Sequence, residues 1–111
     1  MQTIGLFTGL GLVAVLAMPA QAQLLGHKDL SQAMALTIAT TAAETCKGQG
    51  YRVSVTIVGR AGEVILQMRG DDASPHTMEN SLRKAYTART FRVPSGEIAT
   101  RLKENPTLSF V

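Results

Sequence analysis

The chain has 111 residues, with 11 Lys and Arg against 8 Asp and Glu, a formal net charge of +3, one cysteine and no tryptophan. This length holds one domain at most, and a lone cysteine, Cys46, excludes an internal disulfide framework. A surplus of +3 without aromatic residues interleaved among the basic ones is not a nucleic-acid signature, so small anionic partners fit better.

Residues 4–18 carry no charge and are dominated by Leu, Val, Ala, Gly and Phe; Pro19 follows, then Ala20-Gln21-Ala22, a small-x-small cleavage pattern. The run falls short of the ~20 apolar residues that span a membrane. It reads as a signal peptide over residues 1–22, leaving a mature domain over 23–111 that starts at Gln23, resides in the periplasm or is secreted, and keeps no membrane contact. Its first residues contain no Lys or Arg, which leaves a retained anchor as the alternative. All charged side chains lie after residue 22.

His27 falls in an exposed lead-in segment. From about Leu30 to Lys47, Ala35, Ala39, Ala42 and Cys46 recur at helical spacing, with Met34 and Ile38 alongside. The pattern predicts a helix with one small-residue face that lies close on a sheet and buries the Cys46 thiol. Asp29 or Ser31 supplies its N-cap and Gly48 or Gly50 its stop. Residues 51–58 alternate, Val53, Val55 and Ile57 against Arg52, Ser54 and Thr56, as a half-buried strand does. Gly59-Arg60-Ala61-Gly62 predicts a turn, and residues 63–69 alternate again, with Val64, Leu66 and Met68 opposed to Glu63, Gln67 and Arg69. The two strands form an antiparallel hairpin.

Ser74 suits the N-cap and Pro75 the first position of a second helix, predicted over residues 75–91. Its buried side is Met78, Leu82, Ala85 and Tyr86, its outward side Glu79, Arg83 and Arg89, and Pro94 ends it. Its first free amides form an anion-attracting end beside His76, with Arg69, Arg83 and Lys84 in reach. Asp71, Asp72 and Glu79 either gather around a hard cation or, the stronger reading, simply complement the helix dipole. Ser95 opens a short helix over 96–103, Asn105-Pro106 breaks it, and residues 107–111 begin a further apolar segment. There is no Gly-rich phosphate loop, zincin histidine pair, nucleophile elbow or cysteine pair for zinc. The expected fold class is α+β, an antiparallel hairpin packed with helices.

The run of a valine-rich strand (Val53 to Val58), a glycine turn (Gly62), Arg69 with Asp71 and Ala73 in a loop, and Lys84-Ala85-Tyr86-Thr87-Ala88 on a helix resembles the haem-degrading domain family, also called GlcG/HbpS-like. The resemblance covers about Leu30 to Phe110 and corresponds to the N-terminal part of that domain, so the chain is expected to be truncated relative to it. Members usually carry an aspartate where the first strand ends; Gly59 stands there. The resemblance implies an exported haem-binding protein that assembles as a homo-oligomer, with His76 as axial ligand to the iron and Arg69, Arg83, Lys84 and Thr87 as further cofactor contacts. Arg69 serves a propionate or pairs with Asp71 or Asp72; Lys84 and Thr87 serve the ligand or packing. Met68, Met78, Tyr51 and Tyr86 belong to the core more readily than to the iron. Two other readings stay open: a ligand-free oligomeric scaffold, and a binder of a small organic acid at Arg69 and the helix terminus. The family name implies haem degradation, yet no residue here demands catalysis.

Overall fold

The computed structural model describes residues 2–5, 9–14, 16 and 24–110; the cleavage pattern Ala20-Gln21-Ala22 and the expected new terminus Gln23 lie outside the described residues. Among those described, no helix is long and apolar enough to cross a membrane. His27 is exposed, as expected.

The first helix, α1, spans Gln32–Gly48. Ser31 caps it, its hydroxyl accepting the Met34 N–H at 3.1 Å. At the other end Gly50 takes a left-handed φ of 86°. The Tyr51 N–H then reaches the Cys46 carbonyl (2.9 Å) and the Gly50 N–H the Lys47 carbonyl (3.0 Å), the paired bonds of a Schellman stop. Ala35 and Ala39 are completely buried, which confirms the small-residue face. Cys46 is a free thiol and only half-buried, less enclosed than its spacing suggested.

Strands β1 (Ser54–Val58) and β2 (Val64–Arg69) pair antiparallel, Ser54 facing Arg69 and Ile57 facing Leu66. A bulge follows: Val58 pairs with Val64, which leaves Ile65 without a partner in the ladder and takes Val64 out of line with Leu66 and Met68. Val64 is accordingly 48% exposed rather than part of the core. The turn is closed by the Gly62 N–H on the Gly59 carbonyl (3.0 Å), with Gly62 at a φ of 84° that favours glycine. The Tyr86 ring lies directly over Gly62, where a Cβ would meet it at 2.6 Å. Tyr86 is therefore a lid on the turn, 54% exposed, and not one of the buried residues of its helix.

Helix α2 runs over Thr77–Phe91 and α3 over Ser95–Glu104, followed by a 3-10 helix, Pro106–Phe110, in place of the expected apolar segment. α2 starts two residues later than expected and no side chain caps it. The reason is local: Pro75 and His76 stay in a turn that the Ser74 carbonyl closes by accepting the Thr77 N–H (3.0 Å) and the Thr77 hydroxyl (2.6 Å). Ser74 thus acts through its main chain, not its hydroxyl. The end of α2 is a left-handed Arg92 (φ 58°, ψ 31°), ahead of Pro94. α3 begins at Ser95 itself, with Pro94 at the cap.

Helices α1 and α2 both pack on the hairpin and do not meet each other, so the sheet is the middle layer. By register Val55, Ile57, Leu66 and Met68 share the α1 face, while Ser54, Thr56, Gln67 and Arg69 share the α2 face. The polar side of the strands was expected to meet solvent. Instead α2 covers it, and Thr56 is only 8% exposed. Burial is tolerated because each polar group finds a partner. Ser81 donates to the Met78 carbonyl (2.9 Å), Thr56 meets Ser81 at 2.6 Å, and the Gln67 amide donates to both Thr56 and the Met78 carbonyl at 2.8 Å. Ser54 meets Thr77 at 2.7 Å. With the Ser81 and Thr77 protons committed to carbonyls, Thr56 and Ser54 must be the donors in their pairs. Each such bond contributes ~0.5–1.5 kcal/mol net, and more is lost when one partner alone is removed. Among the described residues no large side chain is fully buried, so this network carries an unusual share of the packing between layers.

Candidate functional site

The loop between β2 and α2 is held from inside. Asp72 sits in the left-handed region (φ 60°), the Ala73 N–H closes a turn on the Gly70 carbonyl (3.1 Å), and Ala73 is buried. Arg69 donates from Nε to the Ala73 carbonyl at 2.7 Å. It makes no ion pair with Asp71 or Asp72 among the described residues, so neither expected carboxylate partner is used. Arg69 is exposed at the strand end, with Nη1 and Nη2 making no hydrogen bond among the described residues. No group of three His, Cys, Asp or Glu side chains able to hold a metal ion occurs among the described residues. Glu79 is held by Arg83 at 2.6 Å, away from the two aspartates.

His76 is exposed at the start of α2. The Thr77 and Met78 amides beside it are already bonded to the Ser74 and Pro75 carbonyls, which leaves this helix end less able to hold an anion than its sequence implied. Seven residues on, Arg83 returns to the exposed side of the helix that His76 occupies, because 100° per residue brings that step back into line, and Thr87 stands one turn beyond it, half-buried. Lys84 follows one position round. The helix rise between His76 and Lys84 is about 12 Å at 1.5 Å per residue. The sequence-derived residues therefore form two groups along α2: His76 and Arg69 near the loop, Lys84 and Thr87 two turns or more away, with Arg83 between them and paired to Glu79.

Lys84 and Thr87 open onto a groove between α2 and α3 of about 600 Å³. Phe91, Ile98 and Leu102 supply apolar lining, and Arg101 adds a second cation, shared with Glu97 through an ion pair. Phe91 is 49% exposed, so the groove is open to solvent. Sequence reasoning missed Phe91, Ile98, Leu102 and Arg101. Their signal was available in the i, i+4 pairs Thr87–Phe91 and Ile98–Leu102, one on each helix. A cavity of this size, with apolar lining and a few cationic groups, has the character of a site for an amphiphilic anion.

Hairpin, two covering helices and a third helix walling a groove define a small α+β class of domain. The profile of the family described as haem degrading protein HbpS-like matches residues 30–110. The chain belongs to this HbpS-like family. It is similar to the crystal structure of HbpS, with a TM-score of 0.76 and 34% identity over 86% of this chain and 67% of that one. It is likewise similar to a double mutant of HbpS from Streptomyces reticuli, with a TM-score of 0.74 and 34% identity over 87% of this chain and 65% of that one. The chain thus spans about two thirds of the length of these structures. No curated protein matches it.

Proposed function

We propose that this protein is an exported haem-binding member of the HbpS-like family, and that haem is seated at α2 with its apolar ring against the α2–α3 groove. The observation that carries this reading is the groove itself: Lys84 and Thr87, from the helix motif that first suggested the family, border the same apolar space as Phe91 and Arg101. Haem presents a flat apolar ring and two carboxylates, and Lys84 and Arg101 are placed to meet the latter. The family description names haem, and that supports the choice of ligand.

The axial bond separates two arrangements. His76 supplies it if the ring lies along the outward face of α2; Thr87 is the oxygen ligand on offer if the ring lies deep in the groove. In a hemin titration, His76→Ala is expected to shift or abolish the Soret band, while His27→Ala, in the exposed lead-in segment, leaves it in place. A band that ignores His76→Ala but moves with Thr87→Val assigns the iron to the groove instead. Indifference to both, with weak binding, removes the haem reading.

A second reading, a ligand-free subunit of a homo-oligomer, draws support from a different place. Met34 and Ile38, one helical turn apart on α1, are 53% and 41% exposed, an apolar pair suited to a second copy. Export rests on the leader alone. The protein recovered from a periplasmic fraction is expected to have the intact mass of a chain beginning at Gln23; Met1 retained in a membrane fraction would replace export with anchoring.

A further inference from the structure

A second depression, of about 420 Å³, lies where the lead-in segment, the hairpin turn and the end of α2 come together. Lys28, Arg60, Arg89 and Arg92 all line it, and Asp29 is the one carboxylate among its lining residues. Four cations against one carboxylate is an excess of three, as large as the formal net charge of the entire chain. Asp29 is held by Arg60 at 3.4 Å, and Glu63, beside the buried Gly59 floor, accepts the Ala61 N–H at 2.9 Å. Lys28, Arg89 and Arg92 have no ion-pair partner among the described residues.

The helix dipole explains Arg89, in the last turn of α2, but not Lys28 and Arg60, which arrive from other parts of the chain. Arg92, at the C-cap of α2, gains from the same dipole. That residue nonetheless occupies a left-handed cap, φ 58°, in which glycine is the unstrained choice. Arg89 and Arg92, three residues apart on one helix end, repel each other unless a counter-charge sits between them.

From this we infer that the depression binds a small multivalent anion, a molecule bearing two or more carboxylate or phosphate groups. A monovalent ion gains too little over the chloride of physiological salt; a chelating anion engages several forked guanidinium groups at once. The site is separate from the α2–α3 groove, shares no lining residue with it, and does not depend on the haem reading.

Calorimetric titration of the full chain with inorganic pyrophosphate and with citrate is expected to show one site for at least one of them, and none for acetate. Arg89→Ala with Arg92→Ala is expected to weaken that binding at least tenfold. The charge-matched pair Lys47→Ala with Lys103→Ala, remote from the depression, leaves it unchanged. Lys28→Ala, outside every helix and strand, should weaken it severalfold without touching the fold, so the test survives a misfolded double variant. No heat with either anion overturns the inference. Equal loss in the remote pair does so too, as does retention on phosphatidylglycerol vesicles that neither anion competes away.

Discussion

Replacing Lys84 and Arg101 together with alanine is expected to weaken hemin binding about tenfold while leaving the position of the Soret band unchanged. Both side chains are exposed and Arg101 is already shared with Glu97, so each contact contributes about 0.5–1 kcal/mol, or roughly two- to fivefold. The two positions lie on different helices, so under the proposed reading their effects should roughly add. Neither cation would serve as the axial ligand in the proposed arrangement, hence the constant spectrum expected. Raising the salt concentration should shrink the wild-type advantage, since exposed charge pairs are screened. Hemin titrations at low and at physiological ionic strength check both points. Affinity that falls less than about threefold in the double variant would mean unspecific adsorption on apolar surface, and would put the oligomeric scaffold in front.

Gly70→Ala is the second large effect, this time on stability. A Cβ at Gly70 would stand 2.5 Å from the Val53 carbonyl oxygen, the same atom that accepts the Gly70 N–H at 3.0 Å to extend the hairpin. A main-chain oxygen in a paired strand cannot swing aside as a side chain can, so either the ladder end opens or the β2–α2 loop shifts. Overpacking of this kind costs about 1–3 kcal/mol, offset only in part by the lower chain entropy of alanine, roughly 0.4–1 kcal/mol. In a domain with no fully buried large side chain among its described residues, that is a substantial fraction of the total. The control is Gly48→Ala, at the end of α1, where nothing lies within 4 Å and the backbone is helical. It should be neutral or slightly stabilising. Urea denaturation should show a lower midpoint with unchanged slope for Gly70→Ala alone. Equal midpoints for the two variants would mean that the close approach to Val53 is not there. Because Arg69 and Ala73 hold the same loop through their 2.7 Å bond, the variant should also loosen the approach to His76.

Much of the local structure was readable beforehand. Ala35 and Ala39 at a spacing of four marked the buried stripe of α1, and its ends were narrowed to Asp29 or Ser31 and to Gly48 or Gly50, of which Ser31 and Gly50 serve, because caps and helical periods are properties of a few adjacent residues. The hairpin followed from alternation with a period of two and a glycine turn. So did the family, whose motif residues lie in order along one stretch. Even the two-group arrangement along α2 was implicit, since the rise per residue separates His76 from Lys84 by about 12 Å wherever that helix packs.

Other features depend on segments far apart in the chain. Alternation told that Ser54, Thr56 and Gln67 share a face, and solvent was the natural assignment for it. Only the arrival of Thr77 and Ser81 on α2, with hydroxyls to pair against theirs, makes burial of that face affordable. Arg69 turning to the Ala73 carbonyl rather than to Asp71 or Asp72 depends on the left-handed bend at Asp72, which aims the carbonyl at the strand end. The groove that joins Lys84 and Thr87 to Arg101, and the basic depression that joins Lys28 and Arg60 to Arg89 and Arg92, exist because the helices and the hairpin turn are packed where they are. Sequence alone determined which elements form and which residues share a face, since those are set by the repeat of the local backbone. Tertiary structure decided which faces meet, and with that every grouping of charge and apolar surface at the groove and the basic depression, because such groupings arise from packing between elements that no local period connects.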